Sequence, residues 1–132
     1  MARLPQDLTE RELEFLLVER HLATLTTVRL DGSPHVVPVG FTFDPRTGVA
    51  RVICSDGTQK VRNVERNGVV VLCQIAGAAW LSLEGRAAVA RDALSVGEGE
   101  RRYAERYQAP RPNDRRVVIE ITVERVLGRV PD

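Results

Sequence analysis

The sequence is poor in lysine, in aromatic residues and in cysteine, and it carries almost no net charge. Charged residues make up 28% of its 132 residues, yet the formal net charge is +1, because 19 basic residues nearly balance 18 acidic ones. A chain without a strongly basic field is not a typical nucleic-acid binder, so we expect no such partner. We see no secretory signal and no apolar run that would cross a bilayer, and we expect no membrane association.

The cysteines and histidines give no sign of a disulfide framework or a metal centre. Cys54 and Cys73 lie in apolar, strand-like runs, which favours buried thiols in a reducing cytoplasm. A bridge between them stays open as an alternative if the strands bring them together. His21 and His35 have no partner at ligand spacing, so no metal site is expected.

Lys60 is the only lysine among nineteen Lys and Arg residues. Arginine is a planar fork, whereas lysine is a compact point charge on a flexible stem. A compact ammonium suits a crowded oxyanion such as a phosphate. The alternative is a lysine that lies by chance on a solvated helix start.

Hydrophobic patterning predicts one domain over residues 1–132 with three helices and six strands. A capping box at Thr9 and Glu12 starts the first helix, a short second helix covers 59–66, and Asp92 caps a third that runs to about Tyr107. Strands are expected over 22–29, 34–43, 49–54, 69–75, 80–90 and 117–127. Six strands with short turns predict a mainly β fold with minor α, a six-stranded antiparallel barrel.

Two features of the strands indicate a ligand site and a second subunit. Pro38 lacks a backbone donor, so its strand lies at an edge or is bulged there, a place that often adjoins a ligand. The runs 22–28 and 69–75 are apolar or neutral on both faces, although a barrel wall buries only one. We therefore expect a homodimer in which a second copy covers the other face.

A polar segment at a strand-to-helix junction is the best candidate for a phosphate site. Its hydroxyl, backbone, cationic and amide donors come from Ser55, Gly57, Thr58, Lys60, Arg62 and Asn63. Free N–H groups and the helix dipole favour an anion at such a junction. The segment matches neither a P-loop nor a dinucleotide fingerprint, and a solvated loop is the alternative.

Further candidates are Trp80 and a basic run near the last strand. Trp80 is the only tryptophan and follows a small-residue turn, so it is either a packing anchor or a stacking platform for a planar ring. Arg111 and Arg116 lie in a loop that is either solvated or receives a substrate carboxylate. The serines lack the sequence context of a nucleophile, and no side chain is an evident proton donor.

The segments 21–27, 32–45, 59–63, 80–87, 102–107 and 111–113 together resemble the flavin/deazaflavin oxidoreductase family. These proteins are split β-barrels of the FMN-binding type, related to pyridoxamine 5′-phosphate oxidase. The likeness rests on the ensemble of these segments, which includes the Lys-x-x-Asn element at Lys60 and Asn63 and the run Trp-Leu-Ser-Leu-Glu-Gly from Trp80. Within the family the segments are most similar to the actinobacterial branch of F420-dependent biliverdin reductases.

The resemblance implies an oxidoreductase that is a homodimer with two cofactor sites at the subunit interface. It places Lys60 and Asn63 at the phosphate of coenzyme F420 and brings Trp80 to the cofactor from the partner subunit. Some relatives carry an arginine two residues before the lysine, where this chain has Thr58. The missing contact is then redistributed to hydroxyl and backbone donors, with Arg62 a substitute.

The implied reaction is hydride transfer from reduced deazaflavin to a conjugated substrate, biliverdin being reduced to bilirubin. Arg111 and Arg116 are the candidates for its propionates. The alternatives are an FMN-dependent oxidase or reductase of the same fold, a non-catalytic protein that binds F420, flavin or a haem-like ligand, and a pyridoxamine phosphate oxidase proper.

Overall fold

The computed structural model describes residues 2–132 of the chain. These residues form seven β-strands, three α-helices and one 3-10 helix. In chain order they are the 3-10 helix Pro5–Asp7, α1 (Glu10–Leu17), β1 (Ala23–Val28), β2 (Pro34–Val39), β3 (Thr42–Asp44), β4 (Val49–Ser55), α2 (Gln59–Arg66), β5 (Val69–Ala76), β6 (Ala79–Ala90), α3 (Ala93–Arg106) and β7 (Arg116–Arg129).

The seven strands form one antiparallel sheet in the order β2-β1-β5-β6-β7-β4-β3. Its two edge strands, β2 and β3, are consecutive in the chain and separated by only Gly40 and Phe41. Such a short link holds the facing strand ends within roughly 11 Å of each other. The sheet must therefore curl until its edges nearly meet without pairing. The predicted mainly β, antiparallel split barrel is confirmed.

The predicted strand count of six is wrong, because the run 34–43 is two strands. The strand stops after Val39 and resumes at Thr42. A Cβ atom on Gly40 would lie 3.1 Å from Cε2 of Tyr103 and 3.3 Å from Cε2 of Tyr107, so the backbone here passes directly beneath α3. Docking of this helix, not a local turn signal, separates the strands.

Pro38 lies on an edge strand, as predicted. Its pairing with Thr24 of β1 keeps a regular register, so the edge explains the proline and no bulge is needed there. A register shift occurs instead between Glu84 and Gly85, where β6 pairs with β7. Pro34 begins the same edge strand.

Alternating residues of the strands fill a common core. Leu25, Leu72, Leu83 and Ile121 are among the side chains with no exposed surface. Phe15 and Leu16 of α1 belong to the same cluster, so this helix covers part of the core. The alternation follows from the period of two in a strand.

The helices begin where the sequence predicts them. The Thr9 side chain accepts from the Glu12 N–H while the Glu12 carboxylate accepts from the Thr9 N–H, which is a full capping box. Asp92 accepts from the Ser95 N–H at the start of α3. Gly99 lets α3 approach the sheet closely, because a Cβ there would meet Ile53 and Val118.

The strand face that points away from the core carries a large apolar surface. Val36 of β2, Val69 and Ile75 of β5 and Trp80 of β6 are between 41% and 58% exposed. The register places them on one side of the sheet, with Ile75 directly opposite Trp80. We call these four residues the outer apolar face.

Among residues 2–132, no helix is both long and apolar enough to span a membrane. Cys54 and Cys73 are free thiols on β4 and β5, strands that are not neighbours, so the alternative of a bridge is not realised. Cys54 packs against the core, whereas Cys73 pairs with Thr24 and Ser82 and is half-buried on the outward side.

Candidate functional site

A cavity of about 400 Å³ opens where the ends of β2 and β4 come together. These strands lie far apart in the sheet order and meet only because the barrel curls. The start of α2, the last turn of α3 and the loop before β7 complete its wall. The lining residues are Pro38, Val39, Gly40, Ile53, Cys54, Ser55, Lys60, Tyr103, Gln108, Ala109, Pro110, Arg111, Asn113 and Arg116.

The charge of this cavity has one sign. Lys60, Arg111 and Arg116 line it, and none of the described lining residues is an acid. The side chains of Lys60 and Arg111 have no ion-pair or hydrogen-bond partner among residues 2–132, while Arg116 donates to Glu100 at 2.7 Å. Lys60 and Arg111 are therefore unpaired cations, and Arg116 is a third cation held in place by Glu100. This arrangement suits an anionic ligand.

Helix α2 aims Lys60 at the cavity because its other face is buried. Val61 and Asn63 have no exposed surface and Val64 has 3%, so these residues fix the rotation of the helix on the barrel. Lys60, in the first turn, is half-buried at the cavity wall. Its stem is supported while its ammonium is left free.

Arg62 and Asn63 do not reach this wall. Arg62 is exposed and lies two positions beyond Lys60, on roughly the opposite side of the helix. Asn63 donates to the Thr27 hydroxyl at 2.9 Å and accepts from Gln59 at 2.7 Å. Its amide joins α2 to β1, and its contact with a cofactor stays a prediction.

The loop before α2 is held by contacts within the chain. Ser55 lines the cavity, and its hydroxyl accepts from the Asn113 amide at 2.8 Å. The Thr58 hydroxyl donates to the Ser55 carbonyl at 3.1 Å, and the Gly57 N–H is engaged by the Asp56 carboxylate at 2.8 Å. Gly57 has a φ of 78°, which favours glycine, but neither it nor Thr58 lines the cavity.

Trp80 lies on the outer apolar face and does not line the cavity of its own chain. Pro38 lines the cavity and also belongs to the outward side of β2, through its pairing with Thr24. The cavity therefore adjoins the face that carries Trp80. Contact between Trp80 and a cofactor stays a prediction, since it requires the partner subunit.

Cys54 is neutral at the cavity wall. Burial raises the pKa of its thiol above the ordinary value, although the nearby Lys60 ammonium and a hydrogen bond with Thr58 act in the opposite direction. A protonated thiol is a weak nucleophile, so the geometry does not assign Cys54 a covalent role.

Sequence reasoning did not assign Tyr103, Gly40 and Gln108 to the site, although all three line the cavity. The one signal was the spacing of Tyr103 and Tyr107, one turn apart on α3. Their rings lie 5.0 Å apart between centroids and are tilted by 38°. Both contact the backbone at Gly40, which no local pattern predicts.

A buried network anchors this end of α3. Arg106 is 6% exposed and donates to the carbonyls of Glu19 and Phe41 and to the Gln74 side chain. Burial lowers the pKa of its guanidinium below the ordinary value, while Tyr107 opposes the shift. We call Arg106, Gln74 and Tyr107 the α3 anchor.

A second cavity of about 400 Å³ lies between α1, β3 and α3. Its cations are committed: Arg102 donates to Asp44 at 3.1 Å, and Arg106 belongs to the α3 anchor. It contains none of the site residues predicted from the sequence. The cavity with Lys60 is therefore the candidate site.

A family model described as pyridoxamine 5′-phosphate oxidase matches residues 8–129 of the chain. A Mycobacterium tuberculosis protein named F420H(2)-dependent biliverdin reductase is 62% identical over 128 residues, which are 97% of this chain and 93% of that relative.

Solved structures share the fold of this chain. One named F420 reductase superposes with a TM-score of 0.72 at 28% identity, over 86% of this chain and 94% of its own. A conserved hypothetical protein from Mycobacterium tuberculosis superposes with a TM-score of 0.77 over 92% of this chain and 84% of its own. At 20% identity, this second structure supports the fold alone.

Proposed function

Because the chain belongs to the pyridoxamine 5′-phosphate oxidase family, and because its curated relative is so similar, we propose that it is an F420-dependent biliverdin reductase. Biliverdin would be reduced to bilirubin with reduced deazaflavin as the electron donor. The single observation that carries the proposal is the cavity with two free cations and no lining acid, in a chain 62% identical to a reductase of that name.

The donor set of the cavity fits the anionic part of coenzyme F420. Lys60 offers an unpaired ammonium, Ser55 a hydroxyl fixed by Asn113, and the described part of the wall brings no acid to repel a phosphate. We propose that Lys60 holds the phosphate. Asn63 supports it indirectly, since its bond to Thr27 fixes the helix that aims the lysine.

The outer apolar face supports a homodimer. Val36, Val69, Ile75 and Trp80 form one exposed surface, and Pro38 connects that surface to the cavity. A second copy seated there would cover the apolar side chains and stand beside the site. We propose that Trp80 then approaches the cofactor of the partner subunit.

Arg111 and Arg116 are proposed to receive the propionates of the substrate. Arg111 is exposed and unpaired among residues 2–132, so it is free to move onto a carboxylate. Arg116 has a 10% exposed side chain held by Glu100, so it offers a fixed charge at the wall. The two provide one adaptable and one rigid contact.

Deazaflavin, when bound, supplies a hydride to a carbon of the conjugated substrate. The residues of the chain would orient the two ligands and balance their charge. Burial raises the pKa of the Cys54 thiol, so this residue adds no negative charge to the cavity wall. We assign the proton to solvent. The two free thiols are also consistent with the proposed cytoplasmic location.

The test compares cofactors with one purified protein. Biliverdin absorbance is followed with reduced F420 under air, and in parallel with NADPH and with reduced FMN under anaerobic conditions. We expect bilirubin only with reduced F420. Turnover with reduced FMN and none with reduced F420 would replace the cofactor assignment. Tight F420 binding without biliverdin turnover would remove the substrate assignment alone.

A further inference from the structure

We propose that Tyr103 is a substrate-contacting residue that determines specificity. Its ring forms the wall against which a planar conjugated molecule lies, and its hydroxyl bonds to the polar edge of that molecule. The inference rests on the proposed function, because it takes a conjugated tetrapyrrole as the substrate.

Tyr103 is the only aromatic residue among the described residues that line the cavity. It lies in the last turn of α3 and is half-buried, so part of its ring faces the open volume. The same cavity contains Lys60 and Arg111. An aromatic surface beside free cations matches a ligand that combines a planar conjugated system with carboxylates.

The ring of Tyr103 is packed against two neighbours. On one side it contacts Gly40, where even a Cβ atom would lie only 3.1 Å from Cε2. Behind it the ring of Tyr107 lies at a centroid distance of 5.0 Å. The Tyr107 hydroxyl donates to the His21 carbonyl at 2.7 Å, so the backing ring is itself fixed.

The α3 anchor makes this arrangement rigid. Arg106 joins the helix end to the carbonyls of Glu19 and Phe41, and its guanidinium lies 4.9 Å from the Phe41 ring centroid and 5.1 Å from that of Tyr107. Phe41 directly follows Gly40, so the backbone under Tyr103 is held by the same network. A wall prepared in this way loses little freedom when a ligand stacks on it.

The hydroxyl of Tyr103 is uncommitted, unlike that of Tyr107. It has no hydrogen-bond partner in residues 2–132, and it is not among the buried polar atoms that lack one, so it is accessible to solvent. The Tyr107 hydroxyl, in contrast, is bonded to the carbonyls of His21 and Phe41. The free hydroxyl is thus available to a ligand.

The experiment separates ring, hydroxyl and fold with Tyr103→Leu, Tyr103→Phe and the control Leu94→Ala. Leu94 lies on the same helix at 87% exposure and does not line the cavity. For each protein we would measure the dissociation constant of biliverdin by absorbance without cofactor, that of F420 by fluorescence, the steady-state constants and the melting temperature.

We expect Tyr103→Leu to weaken biliverdin binding by roughly five- to tenfold, the scale of an aromatic contact, and F420 binding by less than about twofold. Tyr103→Phe keeps the ring and should fall between Leu and wild type. Gly40→Ala should raise KM with little change in kcat, because the new methyl displaces the Tyr103 ring toward the substrate.

Unchanged biliverdin affinity in Tyr103→Leu would overturn the inference while leaving the proposed function intact. Parallel losses of biliverdin affinity, F420 affinity and melting temperature would show a structural role only and would also overturn it. Failure of the wild-type protein to bind or reduce biliverdin would instead overturn the proposed function, and the Tyr103 assignment with it.

Discussion

Replacement of Lys60 by alanine should weaken F420 binding without weakening the fold. The ammonium has no partner among residues 2–132, so its removal breaks no ion pair or hydrogen bond within the folded chain. A hydrogen bond to a charged group contributes about 1.5–3 kcal/mol. At 1.4 kcal/mol per factor of ten, we expect a loss of affinity of roughly 10- to 150-fold. Lys60→Arg should also be impaired, because a planar fork does not replace a compact charge.

Arg62→Ala is the matched comparison for this prediction. It removes the same formal charge two residues away on the same helix, but from an exposed position on the opposite side. Long-range attraction of an anionic cofactor would be reduced to a similar degree in both variants. A direct contact would be lost only in Lys60→Ala, so we expect Arg62→Ala to bind within about threefold of wild type.

The assay is a fluorescence titration of F420 at two salt concentrations, with urea unfolding of each variant. Equal losses of affinity in the two variants would show that only net charge matters. Wild-type affinity in Lys60→Ala would show that the lysine is a solvated residue at a helix start. Either result would refute the assignment of the phosphate to this residue.

Three further results are expected. The hydrogen bond from Arg3 is the main cause that lowers the pKa of Glu12 from 4.5, so the ionised carboxylate stabilises the fold above that pH, and this contribution is lost as the pH falls through the lowered pKa. In urea unfolding from about pH 3 to 7, Glu12→Gln should lower the free energy of unfolding at neutral pH and reduce its loss in acid. An unchanged pH profile would contradict this. Arg106→Met should lower the free energy of unfolding by about 2–4 kcal/mol, because it leaves buried acceptors including Gln74 unpaired, and a loss below about 0.5 kcal/mol would be inconsistent with the network. Ile75→Asp should convert the proposed dimer to a monomer, as measured by sedimentation at micromolar concentration. A wild-type protein that is already monomeric at that concentration would refute the proposal of a cofactor site shared between subunits.

Elements set by local chemistry could be predicted from the sequence. The capping residues Thr9 and Asp92 start their helices as expected, and α2 has the predicted bounds. Lys60 was identified from its rarity, and the structure places it at a cavity. These features depend on residues that are close together in the chain, and such local relations can be read from the sequence.

Features set by distant packing could not be predicted in this way. The break at Gly40 arises from two tyrosines more than sixty positions later in the chain. The hydrogen bond from Asn63 to Thr27 joins α2 to a strand far back in the chain. In the sequence, Arg62 and Lys60 are equally good candidates for the phosphate site. Only the rotation of α2 on the barrel places Lys60 at the cavity and Arg62 in solvent. Tyr103 joins the site because Gly99 lets its helix lie close to the sheet.

The two edges of the sheet affect how the protein behaves at high concentration. One edge strand carries Pro34 and Pro38, and prolines on an edge are accommodated with the nitrogen toward the open side. The other edge strand has only three residues. At one edge the prolines interrupt the series of backbone N–H donors, and at the other edge the strand is too short to offer more than a few. Continued addition of strands to either edge is therefore blocked. Fibrous growth by strand addition is disfavoured, which leaves the broad side of the sheet as the surface for the proposed association.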